Sequence, residues 1–354
     1  MENPLGQGMR ELPGPLLLTG HTGFKGTWMT FLLEHLNLPV VGYSLPPERG
    51  SLFERAERTG AISEKFADVR DYKELEKFID HHKPSTIIHM AAQPLVLKSY
   101  ENPRETFDVN VMGTVNLLDI AIKKEFVRAV VVVSTDKVYR NDNTGKAFVE
   151  TDPLEGKDPY SASKVGTEAV VSAWQQISKI SGGPRIVSVR SGNVIGGGDF
   201  ADNRIIPDLI RGVMSGNAVE IRNPNNTRPW QHVVDPLIGY LQVLECILQG
   251  NTELVSINFG TGDFSLSVKQ ITEIGLEFFP SLSDTLRTSQ ATPSSIEAAT
   301  LELNSAASYD VLGWKSKWNS TESAQRTYSW WRKHLEEGLD PWNLCQADLD
   351  EYFK

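Results

Sequence analysis

Short apolar, β-branched runs alternate with longer stretches of helical periodicity along this chain, and that alternation leaves few folds open. Runs at 15–19, 39–43, 85–90, 129–134, 185–190 and 255–259 read as strands, with one more just before Asp68. The stretches 25–36, 72–82, 104–124, 159–180, 236–249 and 268–278 read as helices. Strands this apolar, each followed by a helix, are buried on both faces. The pattern is that of an α/β fold with a doubly wound parallel sheet of Rossmann type. It is regular to about residue 190 and then gives way to Gly-, Asn- and Pro-rich stretches at 192–203 and 222–229. We therefore expect a Rossmann domain of 1–190 plus about 230–262. A smaller, discontinuous C-terminal domain of 191–229 and 263–354 should close over the strand ends. A chain of 354 residues is long enough for both. Residues 305–335 read as helical, with Tyr328, Trp330 and Trp331 forming a packing face.

Directly after the first strand comes Gly20-His21-Thr22-Gly23-Phe24-Lys25-Gly26, which runs into an amphipathic helix. Glycines there let the backbone turn tightly against a diphosphate, and the helix N-terminus offers free N–H groups and a positive dipole end. The spacing differs by one residue from the usual dinucleotide fingerprint, but its place between strand and helix points to the same use. The second strand, Val40-Val41-Gly42-Tyr43-Ser44, has no carboxylate at its end to grip an adenosine ribose. Tyr43 and Ser44 are the hydroxyls available for that task, and no arginine follows at once to favour a 2′-phosphate, although Arg49 is near. NAD is favoured over NADP. Asp68 reads either as an acceptor for an adenine amino group or as a solvated turn aspartate.

Tyr160 and Lys164 stand four apart on a predicted helix and so share a face, with Asp158 as cap and Pro159 opening the first turn. A tyrosine with a pKa of about 10 is a poor base at neutral pH, and a lysine one turn on, together with a cationic nicotinamide, would stabilise its phenolate. The pair could then take a proton from a sugar hydroxyl as its carbon gives hydride to NAD.

Composition closes off other classes. A net charge of −10 argues against nucleic-acid partners. No apolar run approaches the ~20 residues of a membrane span. The start, Met1 to Gly14, has neither the cationic nor the apolar part of a signal peptide. Cys246 and Cys345 lack metal-ligand spacing. We expect a cytoplasmic protein without a metal.

Five segments carry a specific resemblance over essentially the whole chain. They are Thr19–Gly26, His89-Met90-Ala91-Ala92-Gln93, Ser134-Thr135-Asp136-Lys137-Val138-Tyr139, Arg190–Asp199 and Thr227–Val233. The chain resembles the extended short-chain dehydrogenases/reductases, within them the nucleotide-sugar 4,6-dehydratases, and above all their CDP-glucose branch. The resemblance implies cofactor contacts from Gly20, Thr22, Gly23, Phe24, Lys25, Gly26, Tyr43, Ser44, Asp68, Val69, Ala91, Ala92, Gln93, Tyr160 and Lys164. It implies catalytic roles for Thr135, Asp136, Lys137, Tyr160 and Lys164, and substrate contacts from Asn193, Arg204, Arg228 and Glu297.

An epimerase of this type needs only Thr or Ser with the Tyr–Lys pair. Loss of water also needs an acid and a base beside the sugar, and Asp136 and Lys137 supply two ionisable groups at the end of the strand. The implied reaction converts CDP-D-glucose to CDP-4-keto-6-deoxy-D-glucose: oxidation at C4, elimination of water across C5 and C6, and return of hydride to C6, with NAD recycled. Asp136 would protonate the leaving hydroxyl. A lysine is a base only when neutral, so Lys137 stands either as the C5 base or as a protonated stabiliser of the enolate; with no resemblance it would read as an ion pair with Asp136 or as a solvent-exposed side chain. Arg204 and Arg228 would fork onto the diphosphate. Trp230 reads as core or pocket and His232 as core. At Ile296 relatives commonly carry histidine, so one contact to the base is lost. The alternatives are a 4-epimerase, another 4,6-dehydratase such as one acting on UDP-N-acetylglucosamine, and a non-catalytic NAD-binding sensor; the presence of all five catalytic residues argues against the last. The resemblance further implies a homodimer packed through 104–124 and 159–180, or a homotetramer.

Overall fold

The computed structural model describes residues 5, 7–221, 223–251, 253–262, 265–288 and 300–354. Its centre is a parallel sheet of β1 (Leu16–Thr19), β2 (Val40–Ser44), β3 (Ser63–Phe66), β4 (Thr86–His89), β5 (Ala129–Val133), β6 (Arg185–Ser191) and β7 (Ser256–Phe259). The spatial order is β7-β6-β5-β4-β1-β2-β3. Strands run outward from β1 on one side and from β4 on the other, so the C-terminal ends of β1 and β4 flank the switch point where such sheets bind ligands.

Side-chain alternation along the strands divides the core into two layers. Leu16 and Leu18, with Ala129, Val131 and Val133, face α1 (Phe24–His35). Leu17, Val130 and Val132 face α2 (Tyr72–His82), α3 (Gly113–Ala121) and α4 (Pro159–Ser181). The five residues of β5 are all buried, as its unbroken Ala-Val-Val-Val-Val run requires of a strand covered on both sides. The first layer continues without a break through α5 (Ile205–Ser215), α6 (Val234–Leu248), α7 (Val268–Phe278), α8 (Ser320–Glu336) and α9 (Pro341–Tyr352).

Two helical stretches differ from the sequence pattern. The expected helix over 104–124 is a run from Pro103 to Ala121 interrupted by a π-turn at Asp108–Met112. The expected helix over 305–335 is broken: Ala306–Leu312 ends at Gly313, whose φ of +66° stops the first piece, and Asn319 caps α8 with a reciprocal bond to Glu322. Tyr328, Trp330 and Trp331 on α8 are buried, as expected of a packing face. α9 is not marked in the sequence because it buries only Pro341, Leu344, Cys345 and Leu349 among polar neighbours. No described helix is long and apolar enough to cross a membrane.

Candidate active site

The turn after β1 is built for close approach. Gly20 has a φ of +75°, and a Cβ there would lie 2.7 Å from the Ala91 nitrogen. A Cβ on Gly26 would lie 2.0 Å from the Gly20 carbonyl oxygen. Gly23 begins α1 with no side chain capping the helix, so its first N–H groups stay free for an anion. Ala91, Ala92 and Gln93 follow β4 on the other side of the switch point. Ala91 N donates to Thr19 Oγ1 at 3.2 Å, and Gln93 is buried, its N–H donating to Asn110 Oδ1 at 2.7 Å. These residues fit a dinucleotide diphosphate between β1 and β4.

Toward the adenosine side the structure separates the expected contacts. Thr22 and Ser44 meet, their hydroxyls 2.8 Å apart. Tyr43 instead points into the core, edge-on to Phe78, and its hydroxyl donates to the Asp68 carbonyl at 3.3 Å. Both Asp68 carboxylate oxygens are taken by Arg70, at 2.6 and 3.1 Å, and those hydrogen bonds hold the carboxyl below its ordinary pKa. Val69 is buried against Gly113. All four polar candidates have protein partners: Thr22 and Ser44 bond each other and Thr22 donates to the Leu45 carbonyl at 3.0 Å, while Tyr43 and Asp68 are engaged as above.

The catalytic candidates converge at the ends of β5 and β6. Lys164 donates to the Val133 carbonyl at 2.9 Å, and burial, with repulsion from Lys25 against attraction from Glu168, brings its pKa to about 8. Burial pushes the Tyr160 phenol up to about 12, while hydrogen bonding to Thr135 and the charge of Arg204 pull it down. Thr135 Oγ1 donates to Asp136 Oδ1 at 3.0 Å. Asp136 is 1% exposed, and its Oδ2 has no hydrogen-bond partner among the described residues. Gly192 faces that oxygen: a Cβ there would stand 3.4 Å from it, in van der Waals contact. Lys137 is half-buried, and no ion pair joins it to Asp136 among the described residues.

Beyond this cluster, Arg204 pairs with the buried Asp199 at 2.8 Å and lies close enough to Tyr160 for each to shift the other. Asn193 is half-buried after β6, its carbonyl accepting from Gln231 N at 3.0 Å. Arg228 is buried, on a two-residue strand paired with Leu266–Ser267, and donates to the Thr227 carbonyl at 2.7 Å. Trp230 and His232 are core: the indole donates to the Leu266 carbonyl, and His232 packs edge-on to Trp28 and Trp318. Glu297 and Ile296 lie outside the described residues. Among the described residues no cluster of three His, Cys, Asp or Glu side chains could hold a metal.

Three positioning features carry no sequence signal of their own. The π-turn sends the Asn110 side chain to the Gln93 carbonyl at 3.1 Å and to Ser163 Oγ at 2.8 Å, and Ser163 donates to the Tyr160 carbonyl. Asn110 thus ties the loop after β4 to the turn of α4 that carries Tyr160. On the far side of α4, Arg190 forks onto Glu168 through Nε at 2.8 Å and Nη2 at 2.9 Å, and also donates to Tyr139. Burial pushes the Glu168 carboxyl up, but the guanidinium more than reverses this. Both partners are about 5% exposed, so Glu168→Gln is expected to cost about 3 kcal/mol by leaving a buried cation unpaired. Denaturant unfolding checks this; a loss below about 1 kcal/mol would show that the pair does not hold α4 to β6. The third feature is Lys25, whose ammonium reaches Ser191 and Tyr240.

Comparison with known proteins bears on the family and the fold. Residues 16–257 match the NAD dependent epimerase/dehydratase family. The chain is 38% identical over 345 residues to the CDP-glucose 4,6-dehydratase of Salmonella typhimurium, covering 95% of each. It is 29% identical over 252 residues to a dTDP-glucose 4,6-dehydratase of Neisseria gonorrhoeae, covering 67% of this chain and 71% of that one. In fold it resembles the dTDP-glucose 4,6-dehydratase DesIV of Streptomyces venezuelae, solved with NAD, at a TM-score of 0.77 and 23% identity, covering 92% of this chain and 99% of that one.

Proposed function

The chain belongs to the NAD dependent epimerase/dehydratase family, and on that premise we propose that it is a nucleotide-sugar 4,6-dehydratase whose substrate is CDP-glucose. The observation that carries the reading is Asp136: a buried carboxyl beside Thr135 and Tyr160, with one oxygen unpartnered and facing Gly192. Proton transfer for an epimerase is complete with Tyr160 and Thr135, so a further carboxyl aimed into the same space serves a further proton.

NAD would be held by the glycine turn, by Thr22 and Ser44, and by the loop after β4; bound there it would supply the hydride acceptor for C4 and the hydride donor for C6, without being consumed. Tyr160 accepts the C4 hydroxyl proton, with Thr135 orienting that hydroxyl. The C4 ketone acidifies the C5 hydrogen. Lys137, with no ion pair among the described residues, either removes that proton or stabilises the enolate. Asp136 delivers a proton through Oδ2 to the departing C6 hydroxyl. Arg204, Arg228, Asn193 and Glu297 contact the substrate's nucleotide end. Arg204, with the basic groups Lys25 and Lys164 near it, gathers at one end of the sheet the positive charge that two anionic ligands need in a chain of net charge −10.

In this reading residues 1–190 with about 230–262 hold NAD, and 191–229 with 263–354 hold the substrate. The protein works in the cytoplasm as a homodimer or homotetramer. Exposed apolar side chains on the helices concerned, Phe107, Met112, Ile177 and Ile180, support that contact.

A panel of CDP-, dTDP-, GDP- and UDP-sugars tests the substrate. Expected is a 4-keto-6-deoxy product, detected by its absorbance in alkali, from CDP-glucose at least tenfold faster than from the others. Isomerised sugar without loss of water would establish an epimerase instead.

A further inference from the structure

The run from Gly196 to Arg204 follows β6 and leads into α5. Its start is seated on the elements around the glycine turn. The Trp28 indole of α1 donates to the Gly197 carbonyl at 3.0 Å, and Gly198, at a φ of +82°, lies so near Leu52 that a Cβ would stand 2.5 Å from that side chain. Its end carries Arg204, whose Nη1 donates to the buried Asp199 at 2.8 Å, while the Ala201 N–H donates to the other oxygen of that carboxylate at 3.2 Å. Between the two stands Phe200. Two guanidinium groups lie over its ring, Arg55 at 4.8 Å from the centroid and Arg211 at 5.0 Å. The ring also meets Trp331 of α8 at 5.9 Å, and Arg55 reaches the same indole at 5.8 Å. Arg55 closes the short helix Leu52–Arg55 beyond β2, and its Nε donates to the Gly50 carbonyl at 2.8 Å. Arg211 comes from α5 and donates to the carbonyls of Phe200 at 2.9 Å and Ala201 at 3.1 Å. One half-buried ring thus ties the Asp199–Arg204 loop to the segment after β2, to α5 and to α8.

We propose that Phe200, clamped by Arg55 and Arg211, is a positioning residue that sets Arg204 for the diphosphate of the substrate. This rests on the reading that Arg204 meets that diphosphate. A guanidinium is drawn to the negative face of an aromatic ring, and more strongly where water is excluded. The clamp therefore holds the loop from outside, while Asp199 holds Arg204 from within. Arginine forks onto phosphate oxygens only when its plane is correctly placed, and ordering a loop and a long side chain at the moment of binding costs affinity. With Phe200 anchored, that ordering is done before the ligand arrives. Loss of the clamp falls on diphosphate affinity.

The test is calorimetric titration of the unaltered protein, Phe200→Leu, Arg55→Met and Arg55→Lys with CDP, dTDP, GDP and UDP, and separately with NAD. For whichever diphosphate the unaltered protein binds most tightly, Phe200→Leu and Arg55→Met are expected to raise Kd about tenfold, with Kd for NAD changed by less than about twofold. Arg55→Lys keeps a cation for the ring and is expected to recover most of the lost affinity. Unchanged diphosphate affinity in Phe200→Leu would overturn the proposal. So would equal weakening of NAD and the diphosphate, or an Arg55→Lys no better than Arg55→Met, since both are what a contact serving only the fold would give. If Phe200→Leu fails to fold, the two Arg55 variants decide by the same comparison. The diphosphate is common to all four ligands, so a preference for a base other than cytosine would overturn the CDP-glucose reading and leave this comparison intact. Binding of none of the four would overturn both.

Discussion

Tyr160→Phe is expected to lower turnover by about 10²–10⁴-fold while NAD binding and stability change little. The ring is buried at 8% exposure, and phenylalanine keeps its packing. What is lost is the oxygen facing Thr135. Burial holds the phenol at about 12 even with Thr135 and Arg204 pulling it down, so the protein by itself does not make it a base; the positive charge of a nicotinamide ring must lower it further. Lys164 is fixed on the Val133 carbonyl, its own pKa lowered to about 8. Single-turnover measurement of the reduced nicotinamide, beside calorimetric titration with NAD, separates the two effects. A variant with near-normal hydride transfer would remove Tyr160 from its role as base.

Asp136→Asn should separate the stages of the reaction. Asparagine keeps the shape and can still accept from Thr135 Oγ1, as Asp136 Oδ1 does at 3.0 Å, but it has no carboxyl proton to give at the unpartnered position. The expected result is a fall of about 10²–10³-fold in 4-keto-6-deoxy product with hydride uptake from C4 largely kept, so that reduced nicotinamide accumulates. Rapid-quench product analysis beside nicotinamide absorbance reads both steps. Equal loss in the two would assign Asp136 to the first step and withdraw its role as acid for the leaving hydroxyl.

Much of the architecture was legible because it is written in local periodicity. The Ala129–Val133 run could only be a strand covered on both faces, and Asp158-Pro159 could only open a helix, which it does with a reciprocal cap between Asp158 and Ser161. The four-residue spacing of Tyr160 and Lys164 then set their common face. Less legible were breaks within helical patterns. Gly313 ends a helix that the periodicity would continue, and the π-turn at Asp108–Met112 leaves no mark in composition because it answers to what Asn110 must reach.

The sequence by itself determined the parallel sheet, the glycine turn, the catalytic register on α4 and the family these belong to, since each depends on neighbours within a turn or a strand. Only the tertiary structure decided which polar groups are free. Tyr43 and Asp68 sit at the right strand ends but are bound to protein, whereas Asp136 keeps an oxygen unpartnered. Lys25 belongs by sequence to a diphosphate turn, yet its charge rests on a hydroxyl 215 residues away. The reason is physical: a buried polar group must find its partner in space, and packing between distant elements chooses that partner.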